Sequence, residues 1–297
     1  MKLGSNDISA VKIGSTDVSK VYIGSTEVWS SFTGLLDDYP NAAAAYSLRK
    51  LRADYTGDAI EVRIDTTGQP TYDIGFVNGE LDTATLEGYC TGGLDAYVTT
   101  WYDQSGNGRD VTQTTAANQP QIVSGGSVIL INSKPSIKFQ DSTDFLRRTT
   151  SSGTSTSNTM AVVFKFNLSS GYGVIMSIGD TGSPCYGLLA WGVSPYNRAI
   201  YNNTFRSEDG VYTQNQEIWG STTDTNSAKL WVNGTSETIT NSTSTYTANL
   251  NDIQIGNDTF GSTLYPNIQE AIYWNTTKSD SDLVGINTNQ NNFYSVY

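Results

Sequence analysis

Between Thr159 and Asn275 the chain runs through eight short apolar segments: "TMAVVFKFNL", "YGVIMSIGD", "YGLLAWGV", "RAIYNN", "QEIWGSTTD", "AKLWVNG", "DIQIGND" and "IQEAIYWN". They are rich in β-branched and aromatic residues, and turn residues separate them. Regular spacing of such short segments is the pattern of a β-sandwich. "AIEVRI", "TYDIGF", "AYVTTWYD" and "PSIKF" add strands upstream. The Ser/Thr/Gly-rich stretch 149–158 reads as a long surface loop, because strands on both sides are needed to close one sandwich. Two helices are expected. "DDYPNAAAAYSLRKL" reads as one, with Ala42, Ala45, Tyr46 and Leu51 on its inner face. The other starts at the Ser279 N-cap with Asp282 three residues on, and turns Leu283, Ile286 and Phe293 inward.

The first thirty residues follow a different rule. "KLGSNDISAV", "KIGSTDVSKV" and "YIGSTEVWSS" repeat with a period of ten. An apolar residue, a Gly-Ser turn, an acid and a second apolar residue describe successive β-hairpins. The apolar positions are Leu3, Ile8, Val11, Ile13, Val18, Val21, Ile23, Val28 and Trp29. So short a module buries too little to fold alone, since chains below ~40 residues usually need help. The expected division is therefore 1–32 as an assembly or anchor module and 33–297 as the sandwich.

Composition narrows the function. A net charge of −12 with no Lys/Arg run argues against nucleic acid, whose affinity comes mostly from phosphate neutralisation. The chain has no histidine, which removes a Ser-His-Asp triad, a Cys-His dyad and His-bearing zinc sites. An enzyme built from it would use carboxylates, Tyr or Lys. Acids available to such work include Asp73, Glu80, Asp103, Glu208, Asp209, Glu217, Asp224 and Glu270, and no catalytic pair is assigned among them. Cys90 and Cys185 either pair or stay free. "MKLGSNDISA" has no apolar signal core, and no apolar run is long enough for a bilayer, so synthesis in the cytosol without membrane insertion is expected.

"WYDQSGNGRDVTQTT", residues 101–115, is the most conspicuous motif. Asp103, Ser105, Asn107 and Gly108 match positions 1, 3, 5 and 6 of a calcium loop, but the twelfth position is Thr114 rather than Glu. The leading reading is a strand followed by an ordered turn. Asp103 would bond backbone N–H groups, Gly106 and Gly108 would take positive φ, and Arg109 would pair with Asp103 or Asp110. Trp191, Tyr196, Tyr201, Tyr212 and Trp219 fall near strand ends, where rings stack on sugar C–H faces or else fill the core.

Three resemblances join these readings. "SAKLWVNG" followed by "IQIGND" and "YPNIQEAIYWNTTKSDSDLVGINTNQNNFY" resembles the closing half of a concanavalin A-like or laminin-G-like jelly roll. "AAYSLRKL", "DIGFVNGELD" and "VTTWYDQSGNGRDVTQTTAANQPQIV" resemble the catalytic sandwich of α-L-arabinofuranosidase B, a block shared with phage virion proteins. The decapeptide repeat resembles N-terminal segments of tailed-phage virion proteins. Together they imply an all-β jelly-roll sandwich with short peripheral helices. They also imply a structural or adhesive virion protein that docks on other virion proteins, or on sister chains as a homo-oligomer, a trimer by analogy with virion fibres. A host surface glycan is the implied ligand. The alternatives are a glycoside hydrolase of arabinofuranosidase type and a structural head or neck protein without ligand.

Overall fold

The computed structural model describes residues 2–3, 6–8, 11–18, 20–149, 153–167, 172–179, 186–191, 197–202, 204–211, 214–224, 227–237, 248–249, 252–256 and 264–297. The fold is all-β, an antiparallel sandwich. One layer runs, in hydrogen-bonded order, through Ala44–Ser47, Pro266–Trp274, Asn158–Phe166, Gln216–Thr223, Ala228–Val232 and Thr235–Glu237. The other runs through Thr71–Ile74, Ile60–Ile64, Ala96–Trp101, Val111–Thr112, Phe145–Thr149, Asp252–Gly256, Gly173–Ile178, Tyr186–Trp191, Asn197–Asn202 and Thr204–Val211. Gln121–Ser124 and Ile137–Lys138 carry the ladder between layers, the latter pairing Ile137 with Ile268.

Strand Asn158–Phe166 shows why the sequence reads as it does. Met160, Val162, Phe164 and Phe166 enter the main core with Ile175, Ile178, Leu188, Ile253 and Ile255. Ala161 and Val163 point the other way, beneath helices. A strand covered on both faces needs a continuous apolar run rather than alternation. Strands before and after the Ser/Thr/Gly-rich stretch join one ladder, since Phe145–Thr149 pairs with Asp252–Gly256.

Helix α3, Asp280–Tyr294, lies on that outer face. Asp282 N donates to Ser279 Oγ and Ser279 N to Asp282 Oδ2, both at 3.1 Å, which closes the expected capping box. Leu283 and Ile286 are buried, while Phe293 lies at the flank over the Arg49 guanidinium, 4.9 Å from its ring centroid.

The alanine-rich stretch is corrected. Helix α1 covers only Leu35–Asp38, and Ala44–Ser47 is a strand paired with Pro266–Trp274. Pro40 and Asn41, the latter at φ 63°, end the helical course. The alanines are there for size, because residues 42–49 are all buried between α3, the sheet and a loop. Helix propensity gave way to tertiary packing. A further short helix, α2, spans Thr83–Tyr89.

The N-terminal repeat forms the expected hairpins: Lys2–Leu3 with Asn6–Asp7, Val11–Ile13 with Thr16–Val18, and Lys20–Ile23 with Thr26–Ser30. Gly14 and Gly24 open the last two turns at φ +64° and +63°, as a glycine-first two-residue loop requires. Among the described residues no hairpin joins the main ladder. Ile8, Val11, Val18, Val21 and Val28 are half-buried, whereas Ile13 and Ile23 are 76% and 73% exposed. For Leu3 and Trp29 the backbone alone is described.

Candidate functional site

The conspicuous motif is a clamp on the 42–52 segment. Trp101 ends strand Ala96–Trp101 and is buried near Tyr46, with ring centroids 6.0 Å apart. Tyr102 turns to the opposite face and its hydroxyl donates to Asp73 Oδ1 at 2.6 Å. Asp103 is buried and accepts four bonds. Its Oδ1 takes Ala45 N at 2.8 Å and Ser105 N at 2.9 Å. Its Oδ2 takes Ser105 Oγ at 2.7 Å and Arg109 N at 2.9 Å. Gln104 N donates to Ala45 O at 2.8 Å. The Gln104 side-chain amide donates to Ser47 O and Arg49 O and accepts from Leu51 N. Loop atoms thus satisfy the backbone groups that edge strand Ala44–Ser47 would otherwise leave bare. Gly106 adopts φ +90°, and a Cβ there would stand 2.6 Å from Arg52 Nη1. The Tyr46 hydroxyl donates to Arg109 O; burial, then Asp103 and Asp110, push its phenol well above the ordinary value.

Two expectations are corrected by this geometry. Both Asp103 oxygens are filled by protein donors, and Asn107 turns its Nδ2, a donor, toward Ala42 O and Ala43 O at 2.9 and 3.1 Å. A calcium ion needs lone pairs converging on it; Asp103 and Ser105 spend theirs on the fold, and Asn107 turns its donor end inward. Among the described residues no group of three or more His, Cys, Asp or Glu side chains is placed to hold a metal. Arg109 pairs with neither Asp103 nor Asp110; its Nη1 donates to Ala43 O at 2.8 Å.

The clamp builds the wall of a surface cleft of about 530 Å³, lined by Asp37, Asn41, Arg52, Asp54, Ser105, Asn107, Arg109 and Asn275 over a floor of Ala42 and Ala43. Its two carboxylates are committed. Asp37 Oδ2 accepts Gly34 N at 2.7 Å and Ala53 N at 2.9 Å. Asp54 is forked by Arg52, at 2.9 Å from Nε and 2.7 Å from Nη2, which holds its carboxyl below the ordinary value. Asp54, so held, is not a poised general acid. Other groups keep hydrogen-bonding capacity: the Asn41 and Asn275 amides, Asn107 Oδ1, and the Nε and Nη2 of Arg109. Sequence reading missed Asn41, Asn275 and Arg109 as a group, because 41, 109 and 275 meet only in the fold.

Of the aromatic candidates, Trp219 is corrected. It is fully buried, T-shaped against Phe164 with centroids 4.8 Å apart, and its Nε1 donates to Glu217 Oε2 at 2.7 Å. Trp191 and Tyr201 lie on adjacent strands, Tyr186–Trp191 and Asn197–Asn202, of which the backbone alone is described there. Tyr196, Tyr212 and Cys185 lie outside the described residues, and Cys90 is a buried free thiol. Glu270 faces outward beneath α3 and is fully buried. It accepts from Arg49 Nε at 2.7 Å, Arg49 Nη2 at 3.1 Å, Ser47 Oγ at 2.8 Å and Gln290 Nε2 at 3.1 Å. That is a structural acid.

A second, smaller cleft of about 290 Å³ gathers Arg63, Asp65, Tyr97, Gln119, Asp141 and Asp144. Asp144 is 3% exposed, and burial pushes its carboxyl up to about 6 although Gln140 N donates to it at 2.6 Å. A carboxyl raised on folding favours the native state only while protonated. Its contribution is therefore lost as pH rises from about 4 through about 6, by up to about 3 kcal/mol. Asp144→Asn is expected to stabilise the protein at pH 7 and to leave it unchanged at pH 4. Urea unfolding at both pH values checks this; equal effects at both would contradict it.

No family model matches the chain, and no curated protein matches it in sequence. Among solved structures, a GH54 α-L-arabinofuranosidase soaked with a cyclic sulfate inhibitor is similar at TM-score 0.66 and 15% identity, over 84% of this chain and 62% of that one. A mutant of a GH54 α-L-arabinofuranosidase soaked with 4-nitrophenyl α-L-arabinofuranoside gives 0.65 and 15%, with the same coverages. An arabinofuranosidase complexed with arabinofuranosyl-α-1,2-xylobiose gives 0.61 and 14%, again over 84% and 62%. The chain thus spans about three-fifths of these structures, and at such identity the likeness is one of fold.

Proposed function

We propose that the chain is a sugar-binding display module, a structural or adhesive subunit of a tailed-phage virion, anchored by its hairpin repeat. The observation that carries the sugar reading is the cleft beside the 101–110 clamp. It combines unspent amide and guanidinium groups with carboxylates locked away from acid–base work. Hydroxyl recognition without turnover is the chemistry this set suits. The sandwich likeness to arabinofuranosidases supports a saccharide ligand, and the repeat's resemblance supports the virion. The half-buried and exposed aliphatic positions of residues 1–32 support docking on sister chains or other virion proteins.

A glycan array probed with the full chain tests the reading. Asn275→Ala removes an exposed cleft amide that bonds no group among the described residues, so it is expected to weaken binding about five- to tenfold and to leave thermal stability unchanged. Silence on every glycan would favour a purely structural role. The anchor claim is checked by deleting residues 1–32. The remainder is expected to melt like the full chain and to fail to enter particles, and retained incorporation would sink the claim.

A hydrolase is the second reading, favoured by the shared fold and by the raised carboxyl of Asp144 in the second cleft. Release of 4-nitrophenol from an arabinofuranoside, abolished in Asp144→Asn, would put it first.

A further inference from the structure

The cleft beside the clamp holds one charge that the fold leaves unmatched. Arg49, Arg52, Arg63 and Arg147 each pair with a carboxylate, namely Glu270, Asp54, Asp65 and Asp252. Arg109 does not: among the described residues its guanidinium gives a single bond, Nη1 to Ala43 O, and no carboxylate lies within ion-pair distance. Its chain outnumbers 17 basic residues with 29 acidic ones, so partners are plentiful and the vacancy is a matter of placement. The nearby acids are engaged elsewhere. Asp103 holds the loop, Asp110 Oδ1 accepts Asp103 N, Asp37 holds Gly34 and Ala53, and Asp54 holds Arg52.

The same side chains supply a template. Arg49 grips Glu270, and Arg52 grips Asp54, through the Nε–Nη2 edge, the planar fork that matches a carboxylate. In Arg109 that edge is unspent, and Nη1 is fixed to a buried backbone carbonyl, so the fork is held in the cleft at little entropic cost.

We propose that the cleft binds a carboxylated saccharide of the uronic-acid class. The ligand carboxylate sits on Nε and Nη2 of Arg109, and its hydroxyls on Asn41, Asn107 and Asn275. This rests on the sugar-binding reading and gives its ligand class. A sulfated sugar offers tetrahedral oxygens to the same fork and is an arm of the test.

Calorimetric titration of the full chain tests it with a panel of galacturonate, glucuronate and mannuronate oligosaccharides, their carboxyl-reduced neutral counterparts, and sulfated galactans. At least one uronate is expected to bind about tenfold or more tighter than its neutral counterpart and than the sulfated probes. The preference should shrink between 0.05 and about 0.5 M salt. Arg109→Gln should weaken the uronate far more than its neutral counterpart, so that the two bind alike. Arg109→Lys keeps the charge and a donor for Ala43 O, so it should keep part of the preference and carries the test where the Gln variant fails to fold. Equal binding of charged and neutral sugars, or tighter binding of the sulfated probe, would overturn the carboxylate assignment and spare the sugar site. No binding of any probe, with a silent glycan array, would overturn the sugar site itself.

Discussion

Glu270→Ala is expected to destabilise the protein by about 3–5 kcal/mol, the usual consequence of stripping one partner from a buried ion pair. Glu270 is fully buried and Arg49 nearly so, with side-chain exposures of 0% and 9%. Burial works against the charged Arg49, and Glu270 more than offsets it, so the guanidinium is held above its ordinary value. Without Glu270 that charge stays beneath α3 with no counter-charge, and Ser47, Gln290 and Tyr294 lose an acceptor. Arg49→Met combined with Glu270→Leu removes both charges together and is expected to recover most of the loss. Urea unfolding of the three proteins decides it. A loss below about 1 kcal/mol for the single variant would mean that water already reaches the pair.

Asp103→Ala is expected to cost about 2–4 kcal/mol and to abolish glycan binding. It strips the acceptor from Ala45 N, Ser105 N and Arg109 N at once, and a buried donor left unsatisfied costs about 1–3 kcal/mol, though the losses do not simply add. Native-state hydrogen exchange gives the residue-level check. The Ala45 amide, protected by Asp103 Oδ1 in the wild type, should exchange far faster in the variant. Unchanged Ala45 protection would mean that Asp103 does not hold this segment.

What the sequence made legible follows from how local each signal is. Strand identity in 159–275 was readable because short apolar runs and turn residues are local, and the Ser279–Asp282 box because capping spans three residues. The hairpin repeat was readable because each Gly-Ser turn sits within its own decapeptide. The stretch 42–47 misled because alanine favours helix only where nothing else decides, and here packing between sheet, helix and loop decided. Trp219 misled for a related reason. Proximity to a strand end does not say which face a ring takes, and this one faces Phe164 in the core. Asp103, Ser105 and Asn107 carry the residue types of a metal loop, but orientation set their use, with Asn107 presenting its donor end to Ala42 O and Ala43 O. The cleft itself was invisible from sequence, since residues 41, 109 and 275 share it only after Ala44–Ser47 has paired with Pro266–Trp274.

Alanine-methyl NMR of the full chain, titrated with a glycan that it binds, decides whether the cleft beside the clamp is where sugar sits. Ala42 and Ala43 line the cleft beside the clamp, Ala116 and Ala117 the second cleft, and Ala161 and Ala271 the packed interior. Saturable shifts are expected at Ala42 and Ala43, with Ala116, Ala117, Ala161 and Ala271 unmoved. Shifts confined to Ala116 and Ala117, or saturable binding that moves neither Ala42 nor Ala43, would contradict it.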